Sequence, residues 1–323
     1  MNEIKPQVSE TLLKYPYKTR QNGATVTVFV PYNCRNHCPF CINKEEYAHP
    51  EGFSVDKICD SIRCMDAITP YCDFVFTGGE PFANLKSLQQ MLDMIPATHK
   101  IYINTTLPVF EFQTADDIVA FTQKNRNKIT CINVSRHMQH YVVESNDQLL
   151  TRLAVPFRIN CVLYKKYPVR DMVPYLERFY RIPGASIQFR FDYTETTPQN
   201  LYDTWDDKIL HDLKRIAAYT GLDGCRMRCG FHFDYKGMEL TYHKTLPYST
   251  IVETDKTNGV TYGILYDILI KQTGAIHSDW DGTVMDVEKY KHVVYEPYDL
   301  KWIERCGQHQ SHPIMTNQAC AVM

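Results

Sequence analysis

Two hydrophobic periods alternate along the first two-thirds of the chain. Thr25-Val26-Thr27-Val28-Phe29-Val30 is a β-branched run that reads as a strand. After Ser54, a candidate N-cap, Val55, Ile58, Cys59, Ile62 and Met65 recur at helical spacing. Asp73-Phe74-Val75-Phe76 reads as a short buried strand and stops at Thr77-Gly78-Gly79-Glu80-Pro81. Asn84 then caps a helix with Leu85, Leu88, Met91, Leu92 and Ile95 on one face. Lys100–Asn104 is the third strand, and Thr114 with Asp117 opens a helix that runs to about Lys124. Strands follow at 129–134, 157–163 and 186–191, with helices near 146–153, 170–180 and 206–219. Gly221 lies just past the last helix, where a C-terminal glycine is expected.

Six β-then-α units in a row imply parallel strands joined by helical crossovers. Six units do not close an eight-unit barrel, so the pattern predicts an α/β fold built as an open, partial (β/α)6 barrel. Residues 1–24 carry no clear period and read as an N-terminal arm, and 25–221 as the barrel. From 222 to 323 the helical period fades. Phe231–Phe233, Glu239–Tyr242 and Tyr262–Lys271 suggest strands, and Lys271–His277 a hairpin turn with Gly274 in it. This last part reads as a smaller β-rich extension that covers the barrel mouth.

Composition narrows the class. The chain has 323 residues, 44% of them hydrophobic, which suits one large α/β domain or a domain with an appendage. A formal net charge of -2 makes no case for a broad nucleic-acid surface. No apolar run reaches the roughly 18 residues that span a bilayer, and the polar start Met1-Asn2-Glu3-Ile4-Lys5-Pro6 is no signal peptide. Twelve cysteines without an export signal argue for a reducing, cytoplasmic setting.

The first strand runs straight into Val30-Pro31-Tyr32-Asn33-Cys34-Arg35-Asn36-His37-Cys38-Pro39-Phe40-Cys41. Its cysteines, Cys34, Cys38 and Cys41, are spaced C-x3-C-x2-C, so their thiolates can wrap one metal centre while the backbone donates to the sulfurs. Three ligands leave a cubane iron–sulfur cluster with one open iron. A structural zinc site in a non-catalytic binding module is the alternative. It wants four ligands, and no second C-x2-C follows.

This spacing, Phe40 before the third cysteine and the later Gly78-Gly79-Glu80-Pro81 resemble the radical S-adenosylmethionine (radical SAM) superfamily. The resemblance covers roughly residues 25–195 and implies a [4Fe–4S] cluster on Cys34, Cys38 and Cys41. It implies that S-adenosylmethionine (SAM) chelates the fourth iron. One electron then cleaves its C–S bond, and the 5′-deoxyadenosyl radical takes a hydrogen atom from the substrate. By the same resemblance Phe40 packs on the adenine, Gly78, Gly79, Glu80 and Pro81 hold the methionyl end, and a partial barrel is the expected core. An electron donor such as flavodoxin or ferredoxin is implied.

Ligands of such folds lie over the C-terminal ends of the strands. Asn104, Ser135, Asn160, Gln188 and Arg190 sit at or near those ends, with Ser135 and Asn160 the best match to residues that hold SAM. Arg136 and His137 would place a cation and a titratable ring on the substrate side. Cys225 and Cys229, in a Gly-flanked loop, could join Cys306 and Cys320 in an auxiliary cluster, or Cys225 could return a hydrogen atom to a substrate radical. Asp279-Trp280-Asp281-Gly282 reads as a solvated turn, and His309 and His312 as part of a tail. A small polar metabolite or nucleotide ranks first as substrate, a peptide or protein second and a nucleic-acid base third.

Overall fold

The computed structural model describes residues 15–21, 23–41, 43, 47–48, 50–69, 71–139, 144–164, 169–191, 206–222, 230–243, 250–265, 267–277 and 294–296. Strands β1 (Tyr17–Gln21) and β2 (Ala24–Phe29) come first. Helix α1 (Val55–Ile68) opens on Ser54, whose side chain accepts the Lys57 N–H. Strand β3 (Cys72–Thr77) is buried throughout, and α2 (Leu85–Asp93) opens on Asn84 in the same way. Strand β4 (Lys100–Thr105) leads to α3 (Ala115–Lys124), whose capping box between Thr114 and Asp117 is complete. Strand β5 (Cys131–Ser135) is followed by a 3-10 turn, Asp147–Arg152, where the sequence suggested a helix. Then come β6 (Phe157–Leu163), α4 (Val169–Phe179), β7 (Ile187–Phe191) and α5 (Asp206–Ile216). The remaining strands are β8 (Ala218–Leu222), β9 (Gly230–Tyr235), β10 (Met238–His243), β11 (Thr250–Thr254), β12 (Thr261–Leu265), β13 (Asp267–Ile270), β14 (Ile276–His277) and β15 (Val294–Glu296).

The alternation therefore stands, with two local differences. The last helix ends at Ile216, and Ala218–Leu222 is a strand paired antiparallel with β9. Part of the expected arm is strand β1. In both places a distant pairing partner outweighs the local signal.

The chain divides into two compact units. The first is drawn from Met1–Asn33, Glu45–Ile101 and Tyr248–Asp299. In it β2 lies between β3 and β13, parallel to both, and β14 turns back on β13. The turn between β13 and β14 uses Gly274 at φ +84°, where an added Cβ would sit 2.5 Å from that of Lys57. Thr27 donates its hydroxyl to the buried Asp267 carboxylate at 2.8 Å, tying β2 to β13. Strands β11, β12, β1 and β15 form a second sheet there.

The second unit is drawn from Cys34–Lys44, Tyr102–Pro247 and Leu300–Met323. Its sheet runs β4-β5-β6-β7-β10 with every pairing parallel, and β9 and β8 extend it antiparallel. Strands from the 222–323 stretch thus enter both units. Among the described residues no helix is long and apolar enough to cross a membrane.

Side chains alternate across a strand, so register sorts this second sheet into two faces. One carries Ile132, Val134, Ile159, Cys161, Ile187, Phe189, Leu240 and Tyr242, all buried. Helix α4 contributes Met172, Tyr175, Leu176 and Phe179 to the same core, and the Tyr175 ring lies 5.8 Å from that of Phe189. Its burial supplies the hydrophobic stabilisation of the unit. The other face is polar, and it positions the candidate site.

Candidate metal and cofactor centre

Register lines the polar residues up strand by strand. Asn104 faces Asn133, and Asn133 faces Arg158. One step further along, Ser135 faces Asn160, Asn160 faces Gln188 and Gln188 faces Thr241. Arg190 then faces His243. Asn133, Arg158, Asn160, Gln188, Arg190, Thr241 and His243 are all buried. They hold one another: Asn133 donates to Asn104 Oδ1 at 2.7 Å, Arg158 to Asn133 Oδ1, and Arg190 Nε to Gln188 Oε1 at 3.2 Å. Asn160 Oδ1 is buried with no hydrogen-bond partner. A buried acceptor without a donor is costly, and a bound molecule with an O–H or N–H to give would relieve it.

The cysteine loop belongs to the same unit. Cys34, Cys38 and Cys41 are half-buried and outside any disulfide. The Asn36 backbone N–H points to Cys34 Sγ at 3.4 Å and its side-chain amide at 3.5 Å, the donors that a cluster thiolate needs. A turn closes where the Cys41 N–H reaches the Cys38 carbonyl at 3.1 Å. Phe40 is buried, edge-on to His137 with centroids 4.8 Å apart and tilted against Tyr164 at 5.6 Å. Among the described residues no three His, Cys, Asp or Glu side chains are gathered as a metal site. For the cluster, the fit rests on sulfur spacing and N–H donors, not on converged sulfurs.

Gly78, Gly79, Glu80 and Pro81 belong to the first unit. Gly78 and Gly79 have φ of +65° and +60°, a region that favours glycine. A Cβ on Gly79 would lie 1.6 Å from the Tyr32 carbonyl oxygen, and one on Gly78 would lie 2.4 Å from Phe29 Cδ1. The turn is thus pressed onto the end of β2, and the Val30 N–H extends the ladder to the Thr77 carbonyl at 3.0 Å. Buried Glu80 caps the 3-10 turn Pro81–Ala83, where Oε1 accepts the Phe82 N–H at 3.0 Å. That bond fixes its direction.

Arg136 and His137 behave differently from the expectation of a substrate-side pair. The Arg136 guanidinium is fully buried and taken up by the protein. Nη1 donates to the Thr106 and Ser135 carbonyls at 3.0 and 2.9 Å, and Nη2 to Ser145 Oγ at 2.8 Å. Glu144 and Asp147 lie 3.9 and 3.6 Å from Nε, and Arg178 holds the same two carboxylates. Arg136 Nε makes no hydrogen bond, but both Nη groups end on protein oxygens and two carboxylates balance the charge, which makes Arg136 scaffold. His137 Nδ1 accepts the Val162 N–H at 3.3 Å, so the neutral ring carries its proton on Nε2. Burial, helped by the charge of Arg136, pushes its pKa down to about 4. At neutral pH it is an uncharged ring that buttresses Phe40.

Sequence reading missed Asn133, Arg158, Thr241 and His243. The signal was the period-two alternation in Phe157-Arg158-Ile159-Asn160-Cys161 and Leu240-Thr241-Tyr242-His243. Cys225, Cys229, Cys306 and Cys320 lie outside the described residues, as do Asp279–Gly282 and the tail with His309 and His312.

Residues 21–147 match the family model of a 4Fe-4S single cluster domain. Among solved structures, Streptococcus suis SuiB bound to precursor peptide SuiA is similar at 12% identity, covering 97% of this chain and 71% of that one, with a TM-score of 0.51. SuiB bound to S-adenosylmethionine is similar at 14% identity, covering 83% and 62%, with a TM-score of 0.48. Native anSMEcpe with bound AdoMet and Cp18Cys peptide is similar at 16% identity, covering 58% and 61%, with a TM-score of 0.39. No curated protein matches the sequence. The first likeness shows the fold class, an α/β partial barrel of radical SAM type.

Proposed function

We propose, on the premise that this chain is a radical SAM superfamily enzyme, that it uses a [4Fe–4S] cluster and SAM to abstract a hydrogen atom from a small polar substrate. Cys34, Cys38 and Cys41 would hold the cluster, leaving one iron for the methionyl group of SAM. Gly78, Gly79, Glu80 and Pro81 would hold that methionyl end, Phe40 the adenine, and Asn104, Ser135, Asn160 and Arg190 the remaining polar groups. When bound, the cluster and SAM supply a one-electron C–S cleavage that yields a 5′-deoxyadenosyl radical.

Everything else is the work of the chain. The glycine turn packs against Phe29 and the Tyr32 carbonyl, where any Cβ would collide with the protein itself. Glu80 offers an aimed carboxylate to an ammonium. Neutral His137 holds Phe40 without adding charge beside a cationic cofactor. The covered apolar face of the sheet keeps the polar face rigid.

The observation that carries the small-molecule reading is that polar face, buried across five parallel strands. Surfaces enclosed this far suit a polar ligand that sheds its water. A peptide is the second reading, favoured because the SuiB structure that shares this fold holds a precursor peptide. A flavodoxin- or ferredoxin-type protein would supply the electron. The test is anaerobic reconstitution with reductant, SAM and deuterated candidates. Deuterium in 5′-deoxyadenosine names the hydrogen donor, and a colourless protein that forms no 5′-deoxyadenosine contradicts the reading.

A further inference from the structure

Below the layer of Ser135 and Asn160, strand β6 places one more side chain on the polar face. Arg158 is only 7% exposed. Its Nε and Nη2 both end on one acceptor, Asn133 Oδ1, at 3.1 and 2.8 Å. Among the described residues no carboxylate forms an ion pair with it. Burial pushes the neighbouring Cys131 thiol up, Arg158 draws it down and Glu239 opposes Arg158, but the Glu239 carboxylate itself lies 3.7 Å from His232 Nδ1. A guanidinium has five N–H donors, and a neutral amide oxygen neither uses them all nor balances the charge. Burying such a cation is costly unless an anion joins it.

A second observation on the same strand points to a ligand. Asn160, two residues on and 9% exposed, keeps its Oδ1 without a donor. The two side chains share a face, roughly 7 Å apart along the strand at about 3.3 Å per residue. The face thus offers a cation with spare donors at one step and an unmet acceptor at the next. If Asn160 takes a hydroxyl of the cofactor, Arg158 stands one step deeper.

We propose that Arg158 is the substrate-recognition residue of this enzyme and takes an oxyanion of the substrate, a carboxylate or a phosphate. The assignment rests on the reading above, in which the polar face encloses the substrate. Asn133 aims the guanidinium, and the spare N–H groups form the charge-assisted, paired hydrogen bonds that suit a planar carboxylate or a phosphate. A substrate without an anionic group would leave the guanidinium uncompensated and be rejected.

The test is anaerobic calorimetry on the cluster-loaded protein with SAM present, titrated with succinate and with inorganic phosphate. The wild type is compared with Arg158→Gln, which can keep the bond to Asn133, and with Arg158→Lys. The expected result is oxyanion binding by the wild type, weaker by about tenfold or more in Arg158→Gln and intermediate in Arg158→Lys. A preference for phosphate or for succinate names the class. Binding of neither by the wild type, or equal binding by Arg158→Gln, overturns the proposal. Thermal melting without added oxyanion gives a second readout. Arg158→Gln should melt no lower than the wild type, whereas a fall of several degrees would make Arg158 scaffold and also overturn it. Formation of 5′-deoxyadenosine by the wild type checks the premise separately, so the two readings fail in different ways.

Discussion

Arg136 and Arg158 stand one strand apart in the same unit, and both are buried. Around Arg136 the protein has gathered three carbonyls, a serine hydroxyl and two carboxylates, which a second arginine shares. Around Arg158 it has supplied a single amide oxygen. A buried cation balanced by carboxylates is a rivet, even with its Nε unpaired: it ties the ends of β4 and β5 to the segment before the 3-10 turn. One without a carboxylate beside it is stabilised when an anion arrives. Burial alone does not separate scaffold from site; the charge of the surrounding acceptors does.

The strongest test of this division lies in the cysteine loop, which carries chemistry and little core. Cys34→Ala, Cys38→Ala and Cys41→Ala should each abolish iron–sulfur absorbance while far-UV circular dichroism and the melting transition of the metal-free protein stay put. Unfolding of all three would make the loop a structural metal site and erase the contrast.

On the scaffold side, Arg136→Met should cost about 3–5 kcal/mol, the range for breaking a buried charge network, read as a lower urea midpoint. A loss below about 1 kcal/mol would place Arg136 with the exposed ion pairs and overturn its role as rivet.

Acid titration sharpens the comparison further, because His137 sits beside Arg136. Its pKa is depressed in the folded state, from the ordinary 6.5 to about 4. Below 6.5 the unfolded chain takes up a proton that the folded ring refuses. Stability is therefore whole above that pH and falls as pH drops towards 4, by about 3 kcal/mol in all. His137→Asn in the metal-free protein should remove this part of the acid dependence; an unchanged profile would contradict the buried neutral ring.

The smallest effect belongs to Tyr175, whose hydroxyl donates to the Arg136 carbonyl at 2.7 Å. Tyr175→Phe should cost about 1 kcal/mol by chemical denaturation, since it removes one buried hydrogen bond and leaves the packing on Phe189.

Much of this arrangement is legible in the sequence. Cys34-x3-Cys38-x2-Cys41 and Gly78-Gly79-Glu80 stand out by their spacing, and the helix caps at Ser54, Asn84 and Thr114 are written in residue type. Alternation in β6 and β7 also shows which side chains share a face. What periodicity does not show is the partner across a long separation. Thr27 meets Asp267, and β1 meets β12, only once the chain has folded. Neither does residue type separate Arg136 from Arg158. That difference depends on carbonyls at 106, 135 and 145, which no sequence pattern aims.

The central claim is that three sulfurs leave one iron open to SAM. Electron paramagnetic resonance of the reduced, reconstituted protein tests it most directly. Adding SAM should shift the signal of the reduced cluster in the wild type, and Cys38→Ala should show no such cluster at all. A wild-type spectrum that SAM leaves unchanged would contradict an open iron.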